Sequence, residues 1–363
     1  MTNILSILIF LFILGVLIIV HEFGHFIAAR RVGVRVEKFY FGFGPELFKY
    51  KLGNTEYGIS ALPLGGFVKL AGDSAEEFKG KDDEYLAKSP GQRFRIIFCG
   101  PLVNYVLGFL FFCLIFFVGY PTFTTKVGGL LDGYGAKSAG LVVGDKIVAV
   151  DGGKVDSWEE MQKRIQLRRD ASKVSLSIVR DNREFNAEVL IKDSDTEVMT
   201  QDGKRRLGII GISPADEMIT VKHGLLQSFV LGAKKTLDLS VMTFKGLWWL
   251  ATGKISMRDS MTGPLGIFFI TSKAASLGII AILHLMAVLS ISLAIFNLLP
   301  LPVLDGGHIL FLAIEKIRGK PLSIRIEQIA QRTGLVLIVG LALIVTYNDI
   351  LRLFGDKISG VFK

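Results

Sequence analysis

The strongest constraint on the fold of this chain is that its apolar residues are gathered into long runs without Asp, Glu, Lys or Arg. These runs are Asn3–Val20, Ile96–Tyr120, Ala274–Leu304 and Thr333–Asn348. A helix of about 20 residues crosses the roughly 30 Å of bilayer hydrocarbon. Of the 363 residues, 50% are hydrophobic and only 21% are charged, which excludes a disordered chain and disfavours a soluble globule. The pattern predicts an α-helical polytopic membrane protein with transmembrane helices at about 3–29, 96–120, 276–299 and 332–351.

The first run has a rival interpretation as a secretory signal peptide. A signal peptide has a basic segment before its apolar core and a small-residue cleavage site after it. The first basic residue of this chain is Arg30, which follows the run. We therefore expect the first run to be retained as a membrane helix.

Basic residues in the short flanks predict the orientation, because Lys and Arg near membrane helices stay in the cytoplasm. The two clusters are Arg30, Arg31, Arg35 and Lys38 after the first run, and Lys316, Arg318, Lys320, Arg325 and Arg332 between the third and fourth. The N-terminus and the segment 121–273 are then expected outside the cytoplasm. The net charge of +9 fits either nucleic acid or an anionic membrane, and 27 Phe residues favour the membrane.

The segment between the second and third runs is predicted to be soluble. Residues 174–179 alternate between apolar and polar, and Phe185–Ile191 is expected to be the returning strand. The sequence from Ser138 to Gly152 resembles the signature of a bacterial PDZ domain, which we expect over 121–200; another small β domain is the alternative. Residues 201–273 are expected to be an external linker. It contains an amphipathic helix at 222–253, either at the membrane interface or packed as a juxtamembrane helix.

The first apolar run ends in the motif His21-Glu22-Phe23-Gly24-His25. Histidines at positions i and i+4 lie on one face of a helix, so both imidazoles can reach one metal ion, and the adjacent Glu22 can accept a proton from metal-bound water. The chain has only 5 histidines, which makes a chance match improbable. Ionisable groups at membrane depth are functional by default, because burying them unpaired in lipid is unfavourable.

A catalytic zinc ion with two histidine ligands requires a third protein ligand, often a carboxylate. The candidate is Asp305, which follows the third run in the sequence Asn297-Leu-Leu-Pro-Leu-Pro-Val-Leu-Asp-Gly-Gly307. The first and third helices both run toward the cytoplasmic side, so His21, His25 and Asp305 are expected at similar depth. His308 is interpreted as a supporting or structural residue, since a catalytic zinc keeps one position open for water.

These two motifs together resemble the site-2 protease family of intramembrane zinc metalloproteases, in its bacterial RseP/RasP-like branch with an inserted PDZ domain. The resemblance extends over nearly the whole chain: Phe41–Pro45 and Leu62–Lys69 match the membrane-associated β segment, predicted at about 36–72. Gly100–Asn104 matches the opening of the second span, and Thr262–Gly266 matches the segment before the third. The chain departs from the branch in having one evident PDZ copy where RseP has two.

The resemblance implies a role for each matching residue. His21, His25 and Asp305 would bind Zn²⁺, and Glu22 would be the catalytic base. Asn297 would hold the unwound substrate, although it could equally be an amide that packs between helices. The glycines that would help to present the substrate as a strand are Gly42, Gly44, Gly65 and Gly66.

The resemblance also implies the partners and the location. The substrates would be single-span membrane proteins such as anti-sigma factors or remnant signal peptides. The enzyme would lie in the lipid bilayer of the bacterial inner membrane, with its active site near the cytoplasm, and peptide C-termini could bind the external PDZ domain.

Two rival functions belong to other classes. One is a membrane scaffold with a vestigial protease site, which is disfavoured because the base and all three candidate ligands are present. The other is an ion transporter using buried His and Asp. Many transporters contain an inverted repeat, and none is evident in this sequence.

Overall fold

The computed structural model describes residues 3–166, 168, 172–200, 203–256 and 261–361. The helices are, in chain order, α1 (Asn3–Val32), α2 (Pro90–Val118), α3 (Gly135–Ser138), α4 (Trp158–Gln166), α5 (Leu225–Ala251), α6 (Pro264–Leu277), α7 (Ile279–Asn297), α8 (Asp305–Arg318) and α9 (Ile324–Val361). The chain forms two units: Ile115–Ser228 is inserted into a unit made of the residues up to Leu114 and from Phe229 onward.

The first unit contains the helices that are candidates for membrane spans. In the described part of the chain, four helices are long and apolar enough to cross a bilayer: Ile4–Val32, Pro90–Val118, Ile279–Asn297 and Ile324–Arg352. They fall on the four apolar runs of the sequence. Their buried faces meet in clusters such as Ile13, Leu17 and Met286, where α1 packs on α7.

The third span, predicted at about 276–299, is observed as the single helix α7 (Ile279–Asn297). A further helix, α6, precedes it where an external linker was expected; it begins at Pro264, and proline is favoured in the first turn of a helix. The two helices are separated at Gly278, whose φ of 103° is strained for residues with a side chain. The extra helix α6 packs along α1, with the Ser6 and Ser272 hydroxyls 2.9 Å apart. Residues 264–273 therefore belong to the helical unit and not to a linker.

A long antiparallel hairpin connects α1 with α2. Its strands are β1 (Val36–Leu52) and β2 (Thr55–Leu70), within the predicted β segment. The pairing shifts register near Gly42 and Gly44, which have φ values of 86° and 88°. A Cβ on Gly42 would lie 2.7 Å from the Leu62 carbonyl oxygen, so a side chain there would disrupt the hairpin.

The inserted unit is built from short strands around its own apolar core. The strands are β3 (Tyr120–Phe123), β4 (Val127–Leu130), β5 (Lys146–Val150), β6 (Gly153–Lys154), β7 (Lys173–Arg180), β8 (Arg183–Leu190), β9 (Lys192–Thr200), β10 (Gly203–Ile209), β11 (Ile212–Pro214) and β12 (Met218–Val221). One sheet has the order β6-β5-β7-β8, and β11 and β12 pair with β4 and β3. Because these last strands close the unit, it extends beyond the predicted boundary at residue 200.

An ion pair between a buried carboxylate and a half-buried guanidinium stabilises the turn that follows α3. The Asp145 side chain is fully buried and accepts hydrogen bonds from Arg180 Nε at 2.6 Å and from the Val142 amide at 2.9 Å. The Arg180 guanidinium holds the pKa of the Asp145 carboxyl below its usual range. The Gly144-Asp145 turn of the predicted PDZ signature therefore has a structural role.

Candidate metal centre

Helix α1 carries the motif His21-Glu22-Phe23-Gly24-His25 near its C-terminal end. The Nε2 atoms of His21 and His25 lie 3.2 Å apart, as expected for residues one helical turn apart on the same face. His25 Nδ1 donates a hydrogen bond of 2.9 Å to the Ile96 carbonyl. In a neutral imidazole this leaves Nε2 with a free lone pair for a metal ion.

Asp305 is the first residue of α8, and its carboxylate meets the two imidazoles. Asp305 Oδ2 lies 3.2 Å from His21 Nε2, and Oδ1 lies 3.6 Å from His25 Nε2. Burial raises the pKa of the Asp305 carboxyl, but the two imidazoles, when protonated and no metal is bound, outweigh this effect and hold the pKa below its ordinary range. The carboxylate is therefore negatively charged and available to a cation.

The geometry of these three residues fits a zinc ion. Ligand atoms about 2.05 Å from a tetrahedral zinc lie about 3.3 Å from one another. The two Nε2 atoms are 3.2 Å apart, and each lies 3.2 or 3.6 Å from one of the two Asp305 carboxylate oxygens, with one potential ligand atom from each residue within 4.8 Å of the others. Asp305 Oδ2 is buried and, apart from its 3.2 Å contact with His21 Nε2, accepts no hydrogen bond from the described residues. A buried acceptor without a donor is unfavourable, and a bound cation would remove that penalty.

Two glycines allow the helix that carries the histidines to approach α2 closely. A Cβ on Gly24 would lie 2.4 Å from the Cys99 carbonyl oxygen, and one on Gly100 would lie 2.3 Å from His25 Nε2. Any larger residue at either position would therefore separate the helices or displace the imidazole. This contact also brings the Ile96 carbonyl to His25.

Asp305 is positioned by the pair of glycines that follows it. A Cβ on Gly306 would lie 2.3 Å from the Leu298 and Leu299 carbonyl oxygens, and one on Gly307 would lie 2.2 Å from the Leu301 carbonyl oxygen. The loop after α7 therefore folds directly onto the first turn of α8. A carboxylate in that turn also interacts favourably with the helix dipole.

A cavity of about 390 Å³ opens beside the three candidate ligands. The residues that line it are Ile18, His21, Glu22, His25, Gly65, Gly66, Phe67, Val68, Leu293, Asn297, Val303, Leu304 and Asp305. Glu22 lies against β2, since a Cβ on Gly66 would be 3.3 Å from its Cγ. The cavity thus brings together the predicted base, the predicted ligands, Asn297 and one glycine pair. Gly42 and Gly44 lie outside this lining.

The other histidines are not among the three grouped ligand atoms. His284 packs edge-on against the Phe112 ring, and His308 packs against Phe311. His223 lies in the inserted unit beside Phe116 and Tyr120. Among the described residues, the group that could hold a metal ion is His21, His25 and Asp305.

Sequence reasoning did not identify the residues that hold the ligands in place. Besides Gly24 and Gly100, the structure reveals a buried ion pair in which Arg93, near the start of α2, donates to Glu315 on α8. Arg93 Nε also donates to the Lys88 carbonyl at 3.1 Å. Pairing α2 with the helix that begins at Asp305 is a tertiary contact, and the sequence contained no periodic signal for it.

Replacing Gly100 by alanine is expected to weaken zinc binding. The new methyl group would lie 2.3 Å from His25 Nε2 in the present geometry, so the imidazole must move. Changes in groups that orient a metal ligand lower affinity by roughly 10- to 100-fold. Zinc competition with a chelator measures the loss. Gly91→Ala, on the same helix with open space around it, is the matched control, and equal zinc affinity in the two variants would contradict the prediction.

Comparison with known proteins relates the chain to a family of peptidases. The sequence model of peptidase family M50 matches residues 9–341 of this chain. A candidate zinc metalloprotease of Campylobacter jejuni is 35% identical over 347 residues, covering 95% of this chain and 93% of the relative. The regulator of sigma-W protease RasP of Bacillus subtilis is 29% identical over 429 residues, covering 96% and 99%.

Among solved structures, the chain is similar to the PDZ domain of an SdrC-like protein from Listeria monocytogenes. That alignment covers 25% of this chain and 86% of the solved domain, with 21% identity and a TM-score of 0.20.

Proposed function

Because the chain belongs to peptidase family M50, the site-2 protease family, we propose that it hydrolyses peptide bonds within transmembrane segments of single-span membrane proteins. The chain is a zinc metalloprotease: it belongs to this family, and relatives that align over nearly its whole length carry that name. The observation that carries the proposal is the meeting of two histidines and an aspartate at zinc-ligand separations. This site lies between helices that could themselves cross the membrane.

His21, His25 and Asp305 would hold the zinc ion, which supplies a water of lowered pKa and polarises the scissile carbonyl. Glu22 projects into the same cavity, where its carboxylate accepts the proton of the attacking water and returns it to the leaving amine. The Ile96 carbonyl keeps His25 in the tautomer that presents Nε2. In this proposal the two histidines of the motif bind the metal ion and the glutamate transfers the proton.

The substrate must lose helical hydrogen bonds before its carbonyl can be attacked, and the cavity offers partners for the freed backbone. Gly65 and Gly66 form the part of β2 that faces Glu22, and a strand edge can pair with an extended segment. Asn297 would bind the same segment from the end of α7. Gly42 and Gly44 would act indirectly by allowing the register shift of the hairpin.

The inserted unit would be a PDZ-like domain on the external face, and the protein would lie in the bacterial inner membrane with its active site near the cytoplasm. The basic residues that flank α1 and α8 support this orientation. A groove between α4 and residues 208–212 is lined by Trp158, Met161 and Ile165. This apolar groove would accept the C-terminus of a substrate that has already been trimmed, such as an anti-sigma factor or a remnant signal peptide.

The proposed activity is tested with the full chain reconstituted in lipid vesicles together with a tagged single-span protein. We expect cleavage that stops on chelation, returns with added zinc, and yields product ends within the transmembrane segment by mass spectrometry. Cleavage that continues after chelation would contradict the metalloprotease mechanism. Zinc-dependent cleavage restricted to the aqueous flanks would contradict the intramembrane site of attack.

A further inference from the structure

Helix α5 contacts α2 well inside the apolar span of α2. A Cβ on Gly232 would lie 2.6 Å from Cys113 Sγ and 3.0 Å from the Cys113 backbone nitrogen. Eight residues further along α5, the Ser240 hydroxyl lies 3.0 Å from that of Tyr105, in the middle of α2 (Pro90–Val118). Since the contacts advance along α5 while they recede along α2, the two helices run antiparallel over this stretch.

The side of α5 that contacts α2 includes a row of small and hydroxyl-bearing residues. Gly232, Thr236 and Ser240 follow one another at one-turn intervals and are buried. The Ser240 hydroxyl also donates to the Thr236 carbonyl at 2.8 Å. Such small residues allow close backbone contact, which is how helices associate inside membranes, where burial of large apolar side chains contributes little.

A second face of α5 exposes large apolar side chains. The residues on it are Val230, Leu237, Val241, Phe244 and Trp248, of which Leu237 is 60% and Trp248 65% exposed. Their spacing places them on one side of the helix. A helix in water buries its large apolar residues and exposes its polar ones. Along α5 a row of large apolar side chains is exposed while Thr236 and Ser240 are buried, and this is favourable if the exposed row meets an apolar solvent.

We propose that α5 is embedded in the bilayer hydrocarbon alongside α2, with its exposed apolar face in contact with lipid acyl chains. A helix lying flat at the interface, as one of the two sequence interpretations had it, could not reach Tyr105 in the middle of a spanning α2. Lys234 lies one turn from both Val230 and Leu237, at the edge of the exposed apolar face, and Lys235 and Asp238 lie between that face and the buried one. Lysine side chains are long enough to extend toward the headgroups from such a position. The inference requires only that α2 spans the membrane and does not depend on the proposed protease activity.

The depth of α5 is measured with a tryptophan probe in the full chain reconstituted in vesicles. In a background with Trp158, Trp248 and Trp249 replaced by phenylalanine, Leu237→Trp provides the probe, and brominated phosphatidylcholines are the quenchers. We expect the strongest quenching from lipids brominated along the acyl chains. Val143→Trp, at an exposed position of the inserted unit, should be unaffected. Strongest quenching by lipids brominated near the headgroups would overturn the proposal. Absence of quenching would also overturn it, because it would mean that protein and not lipid covers this face.

Two glycines of α5 provide a matched pair for the contact with α2. Gly232→Leu would insert a side chain where the Cys113 backbone lies, whereas Gly246→Leu would extend into open space. We expect the first substitution to shift the Leu237→Trp probe toward shallower quenchers and the second to leave its depth unchanged. An unchanged depth in both variants would overturn the role of this contact.

Discussion

Replacing Glu22 by glutamine is expected to lower peptide hydrolysis by roughly 10²- to 10⁴-fold, the usual contribution of a general acid–base group, while zinc remains bound. Glutamine has nearly the same shape, so it should fit against Gly66 as glutamate does. Its amide cannot accept a proton from the attacking water at neutral pH. The loss should therefore appear in kcat, and the zinc content should stay that of the native chain.

The measurement for Glu22→Gln combines a cleavage assay in lipid vesicles with metal analysis of the same sample. Glu37→Gln is a suitable control, because Glu37 is a glutamate of the same unit whose partner is Arg35, away from the cavity. Full activity of Glu22→Gln would remove Glu22 from the mechanism. Loss of zinc from the same variant would instead assign Glu22 to metal binding.

The candidate site could be located from the sequence because its signals are local. The i, i+4 spacing of His21 and His25 depends only on helix geometry, and an uncharged run of this length predicts that helix. Asp305 was identified because a carboxylate at the end of an apolar run is unfavourable without a partner. The structure brings these residues together as the sequence suggested, and their assignment as ligands remains to be tested.

The parts that sequence reasoning missed depend on contacts between distant segments. Gly100 and Ile96 affect the position of His25 only because α2 crosses α1 at Gly24. A single sequence does not indicate which helices cross or where. The break at Gly278 was hidden for a related reason. A glycine within an apolar run is compatible with a continuous helix, and only its φ of 103° shows otherwise.

The inserted unit illustrates the same limit for strands. The alternating pattern of residues 174–179 was visible, and it forms β7. The short strands β11 and β12 have too few residues to show a period of two. They form because β4 and β3 present edges for pairing, so the unit extends past the boundary that composition suggested.

Replacing Asp305 by alanine is expected to reduce zinc affinity more severely than any change outside the ligand set, beyond the roughly 10- to 100-fold typical of residues that only orient a ligand. The substitution removes the single negative charge among the three candidate ligands, and two neutral imidazoles alone hold zinc weakly. Because the carboxylate also balances the positive charge of the ion, the loss is electrostatic as well as geometric. Competition with a chromophoric chelator measures the affinity, and cleavage should fall in parallel.

The control for Asp305→Ala must remove a buried carboxylate from the same unit without touching the metal centre. Asp349→Asn does so: Asp349 is 1% exposed and accepts hydrogen bonds from the Gly263 and Gly266 amides, at the start of α6. That variant should lower thermal stability and leave zinc affinity unchanged, so a loss of zinc confined to Asp305→Ala cannot be attributed to general destabilisation. If Asp305→Ala retained near-stoichiometric, tightly bound zinc, Asp305 would not be a ligand. The buried Oδ2 atom of the native chain would then need a different partner.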